Sequence, residues 1–133
     1  MISNQYKELF ALVARNGAIN GEKAMDVLKN GNPDADIKAT ADMTQRFREL
    51  EDKIRNSEDL ELSGLDYVYL YAGATISREI LAKNVNTWTA IIHEYDTNLI
   101  PKLFEIAKET DPEKQAKFVE ENFSQEKVDN AEN

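Results

Sequence analysis

The chain has 133 residues, with 25 Asp and Glu against 16 Lys and Arg, a net charge of −9, 41% hydrophobic residues and no cysteine. That apolar content supports the core of one domain and excludes wholesale disorder, while the missing cysteines exclude disulfides and thiolate chemistry. No apolar run is as long as a membrane span and the start lacks the basic-then-apolar pattern of a secretory signal, so a cytoplasmic protein without membrane contact is expected.

In chain order, Ser3 can cap a first helix in which Tyr6, Leu9, Phe10 and Val13 share a face. Asn16-Gly17 is expected to end it, because glycine accepts the left-handed conformation common after a helix C-terminus. Asn20 can cap a second, short helix with Ala24, Met25 and Leu28 inward, stopped by Asn30-Gly31 and Asn32-Pro33. A third helix starts at Asp34 or Asp36 and runs to about Asn56, with Met43, Phe47, Leu50 and Ile54 on its seam and Ile37 upstream. Ser57 to Gly64 is acidic but carries Leu60 and Leu62, which predicts a connection packed down on the core.

From Leu65 onward the pattern is the longest in the chain. Tyr67, Leu70, Ala74, Leu81, Val85, Trp88, Ile92, Tyr95, Leu99, Leu103 and Ile106 recur at the spacing of one helical stripe. A second stripe, Val68, Ala72 and Ile76, lies beside it. Ser63 and Asp66 make a capping-box start. Tyr67, Tyr69 and Tyr71 alternate as a strand would, and Asn84, Asn86 and Thr87 are poor helix formers, but the phase continues through both places. The spacing therefore predicts one helix over at least Leu65 to Tyr95. Pro101 predicts a kink or restart at about 97–101. Asp111-Pro112-Glu113 starts a last helix with Ala116, Val119 and Phe123 on its face. These elements predict an all-α helical bundle built on a long antiparallel helical hairpin, about 34–56 and 65–97, with shorter N- and C-terminal helices. Residues 1–123 form the single domain and 124–133 an acidic, frayed tail.

Charge is unevenly placed. Residues 1–56 carry nine Lys and Arg against nine Asp and Glu, so the whole net charge lies in 57–133, with seven against sixteen. Such a surface repels phosphate and anionic lipid and favours a basic partner.

Motifs for chemistry are missing. His93 is the only histidine and has no nucleophile-elbow serine to serve; His93-Glu94 begins like a zinc-protease motif, but Thr97 stands where the second histidine is required. The acids Glu58, Asp59 and Glu61, and Glu109, Asp111 and Glu113, lack the ladder and central glycine of a calcium loop. No catalytic residue, cofactor or metal site is assigned. Residues 20–55, with Arg46 and Arg48, superficially resemble a helix-turn-helix unit, yet Asp42, Glu49, Glu51 and Asp52 share the proposed reading helix.

What remains is binding. Tyr67, Tyr69 and Tyr71 cannot all face one core, because two residues on a helix turn the direction by about 200°. Tyr69 and Tyr71 are the expected partner anchors. Glu58, Asp59, Glu61, Glu120 and Glu121 are the expected charged contacts. The function expected is non-enzymatic protein–protein binding by an adaptor, assembly factor or regulator, alone or as a homodimer. Small, acidic helical proteins of this composition are frequent among bacterial, phage and mobile-element accessory proteins. The alternatives are an acidic inhibitor that mimics nucleic acid and a helix-turn-helix regulator using residues 20–55.

Overall fold

The computed structural model describes residues 2–31 and 34–124, and every regular element among them is helical. The first, α1 (Asn4–Gly31), starts where Ser3 Oγ accepts the Tyr6 amide at 3.3 Å. It then runs through Asn16, Gly17 and Asn20 without interruption. The end expected at Gly17 and the separate short helix are thus corrected. A Cβ on Gly17 would lie 2.5 Å from the Phe47 ring, and one on Gly21 would meet the Thr44 hydroxyl. These glycines bring a second helix close, which is a packing use rather than a stop.

That second helix is α2 (Asp34–Asn56), with the boundaries expected. It runs antiparallel to α1: Gly17 faces Phe47, Gly21 faces Thr44, and Lys7 Nζ donates to the Ser57 carbonyl at 2.6 Å. Glu22 and Arg48 form an ion pair along the same seam. Phe47, Leu50 and Ile54 are buried, whereas Met43 lies on the exposed part of the helix. Leu60 is buried, so the acidic connection is packed down as its leucines predict.

Ser63 caps α3 (Gly64–Ala82) with the full capping box: its Oγ accepts the Asp66 amide at 3.1 Å while its own amide donates to the Asp66 carboxylate at 2.9 Å. No strand forms at Tyr67–Tyr71. Gly73 lets α3 lie against the α1 backbone at Val13, and Ser77 accepts from Asn16 Nδ2 at 2.9 Å, which makes α1 and α3 parallel.

The long helix expected from Leu65 to Tyr95 does not exist. α3 stops at Ala82, the backbone leaves helical angles at Asn84 (φ −137°, ψ 61°), and the chain turns back as α4 (Val85–Glu94). Arg78 then meets Asp96 at 3.0 Å and the Tyr71 ring meets that of Phe104 at 5.6 Å, so the returning rod, residues 85–108, is antiparallel to α3. The in-phase spacing misled because its middle members face water: Val85 is 50% and Trp88 39% exposed. The hairpin expected between 34–56 and 65–97 is replaced by two others, α1 with α2 and α3 with the rod. α2 touches α3 through Phe47 against Tyr69 and Lys53 to Asp66. Ile92→Ala, at a 7% exposed position, is expected to cost about 2–4 kcal/mol in urea denaturation, and Val85→Ala under about 1 kcal/mol. Equal losses would put Val85 back in the core.

Pro101 cannot donate to the carbonyl four residues back. The chain answers with a π-helical turn, Tyr95–Leu99, in which the Ile100 amide reaches the Tyr95 carbonyl. Helical backbone then continues into α5 (Ile100–Lys108). The kink expected at 97–101 is this widened turn. Tyr95, Leu99, Leu103 and Ile106 are buried against α3 and α1.

Asp111 accepts the Glu113 amide at 3.0 Å and opens α6 (Pro112–Asn122), the start expected from Asp-Pro-Glu. Just past its end the Ser3 amide donates to the Phe123 carbonyl at 2.8 Å, tying the start of α1 to the end of α6. Of the tail expected to fray, 125–133 lies outside the described residues. None of the described helices is long and apolar enough to cross a membrane.

Candidate functional site

The packed-down connection and α6 leave a cleft of about 450 Å³ between them. Its floor is apolar, from Ile2, Leu60, Leu62 and Val119, and the exposed Ala116 also lines it. Leu60 is there because alternation in Glu58-Asp59-Leu60-Glu61-Leu62 turns the leucines inward and leaves the acids in water. Asp59 and Glu61 stand on one side of the cleft and Glu120 on the other, and among the described residues no Lys or Arg lines it. Three of the expected charged contacts therefore converge. Glu58, on the same connection, is exposed but off the cleft; Glu121 lies beyond it on α6 and faces Lys117 at 3.9 Å.

The structure separates the two expected anchors. Tyr69 turns toward α2 and sets its ring edge-on to Phe47 at 5.2 Å. Tyr71 turns the other way, onto Phe104 of α5. Both are half-buried, and neither lines the acidic cleft. The tyrosine that does is Tyr67. Its heptad-like spacing with Leu70 and Ala74 marked it as core, and the ring is indeed buried. What the spacing does not carry is its place one turn inside the capped start of α3, directly behind the acidic connection. Burial, helped by the neighbouring Asp66 charge, pushes its hydroxyl above the ordinary phenol range. The hydroxyl stays protonated at neutral pH and can donate.

Comparison with models of known families, with curated proteins and with solved structures finds no match to this chain.

Among the described residues no group of three or more His, Cys, Asp or Glu is placed to hold a metal ion. Asp96, the one acid positioned along the helix to orient His93, is instead held by Arg78 through two hydrogen bonds of 3.0 and 3.1 Å. That guanidinium also draws the Asp96 carboxyl below the usual carboxylate range. His93 itself is exposed. Residues 20–55 fall in the distal part of α1 and in α2, which lie antiparallel, whereas a helix-turn-helix unit needs two helices that cross steeply. Ile80, Val85, Trp88 and Ile91 are exposed at the end of α3 and in α4.

Proposed function

We propose that the protein is a non-enzymatic binding protein that holds a basic partner protein through its C-terminal half. The observation that carries this is the convergence of Asp59, Glu61 and Glu120 around a cleft with an apolar floor and, among the described residues, no basic side chain in its lining. Carboxylates on exposed rims raise the encounter rate with a positive partner, and apolar floors supply lasting affinity once water is displaced. The hold is assigned to the floor of the cleft rather than to Tyr69 and Tyr71, whose rings are already engaged with Phe47 and Phe104.

The test begins with partners that co-purify from the native source. With such a partner in stopped-flow, the triple charge reversal Glu58→Lys, Asp59→Lys and Glu61→Lys is expected to slow association about tenfold at low salt and to leave dissociation nearly unchanged. An unchanged association rate would remove the acidic face from the account. A salt series distinguishes the alternative: mimicry of nucleic acid predicts binding that falls away as steeply as phosphate contacts do, with several ions displaced.

A further inference from the structure

The cleft contains a group that a purely electrostatic surface does not need. Tyr67 is only 2% exposed, and its hydroxyl is hydrogen-bonded to no described residue. Yet among the described residues no fully buried side-chain oxygen or nitrogen is left without a partner. The hydroxyl therefore keeps access to the cleft that its ring helps to wall. An unengaged donor at the base of an apolar slot is costly to cover unless the occupant brings an acceptor.

We propose that this cleft seats an extended peptide segment of the partner in which an apolar side chain is flanked by Lys or Arg. The proposal rests on the binding reading above and names the chemistry that the partner must offer. The apolar side chain would lie on Leu60, Leu62 and Val119. The flanking cation would meet Asp59 or Glu61, and a backbone carbonyl would accept from Tyr67. An extended chain is the form that presents backbone carbonyls unpaired; a partner helix has already used its own. The protein's own C-terminal stretch is a poor occupant, since residues 125–133 carry three acids and one lysine. A polyamine has the charge but no carbonyl.

The experiment is a titration of the full chain, followed by amide NMR shifts, with the acetylated, amidated tripeptide Arg-Leu-Arg. Glu-Leu-Glu and spermidine are the comparison arms. Saturable shifts are expected at Leu60, Leu62, Tyr67 and Val119 with the basic peptide alone. Tyr67→Phe removes only the hydroxyl and is expected to melt as the parent does while weakening the peptide about fivefold. Asp59→Asn with Glu61→Gln is expected to weaken it about tenfold at low salt. Should Tyr67→Phe perturb the fold, Ala116→Phe on the exposed side of α6 plugs the cleft instead and is expected to abolish the shifts. Equal shifts with spermidine, an unchanged peptide affinity in Tyr67→Phe, or shifts that saturate elsewhere would overturn the proposal. If the peptide fails while the triple charge reversal still slows the native partner, the cleft is wrong and the acidic binding face stands.

Discussion

Gly73→Ala is expected to destabilise the protein by about 2–3 kcal/mol, although alanine is the better helix former by about 1 kcal/mol. The new Cβ would sit 2.5 Å from the Val13 carbonyl oxygen, which is α1 backbone and cannot rotate away as a side chain could. Relief requires moving α3 off α1, and that opens the contacts of Val13, Leu70 and Ala74, all fully buried. Gly64→Ala is the internal control. There the nearest atom is the far end of Gln115 at 3.3 Å, and the change is expected to fall within about 0.5 kcal/mol of the parent. Urea denaturation of the two variants decides the matter. A neutral Gly73→Ala would mean that α1 and α3 do not cross at van der Waals contact.

The same residues show what the sequence can and cannot carry. Signals whose cause lies within a few residues were legible. Ser63 with Asp66, Asp111 with Pro112, the end of α2 at Asn56 and the disturbance before Pro101 each depend on local backbone donors and acceptors. Glycine is different, because one letter serves two physical ends. Asn30-Gly31 ends α1 as expected, while Asn32-Pro33, the expected stop beyond it, lies outside the described residues. Asn16-Gly17 looks alike locally but stays helical, since its missing side chain makes room for Phe47, thirty residues away in sequence. The corner at Lys83–Asn84 was hidden for a related reason. Two helices that each face the core repeat at the same spacing, and the exposed Val85 and Trp88 happen to bridge them in phase.

The site divides along the same line. Asp59 and Glu61 announce themselves because charge in a loop belongs in water, and Leu60 and Leu62 between them announce a floor. Glu120 reads as a surface acid of the last helix; only the docking of α6 brings it to the opposite rim. Tyr67 was hardest. Its ring follows the core stripe correctly, and a spacing argument treats a side chain as one object, whereas here ring and hydroxyl have different surroundings. Tyr69 and Tyr71 satisfied the argument that one tyrosine must leave the core, yet each found an aromatic ring on a neighbouring helix.

Phe123→Ala is expected to give the largest loss of any single truncation, about 3–5 kcal/mol. The side chain is 0% exposed although it stands one residue past the end of α6. Its ring centre lies 5.1 Å from Tyr6, 5.2 Å from Phe10, 5.9 Å from Phe118 and 6.5 Å from Tyr67. It thus joins α1, α3 and α6, three elements far apart in sequence, and its carbonyl accepts the Ser3 amide. Removing the ring leaves a void between helices that cannot all close on it, because Gly73 already holds α1 and α3 at their nearest approach. Phe123→Leu keeps most of the volume and is expected to lose less than half as much. Stabilities of 5–15 kcal/mol are usual for a domain, so the alanine variant should still fold in the cold and melt far below the parent. The cleft should suffer before the fold does. α6 is one wall of it, and the basic tripeptide is expected to lose its saturable shifts in Phe123→Ala at temperatures where circular dichroism still reports native helix. A variant with the parent's urea midpoint would show that α6 is not anchored through this ring, and the cleft would lose the wall on which Glu120 and Val119 stand.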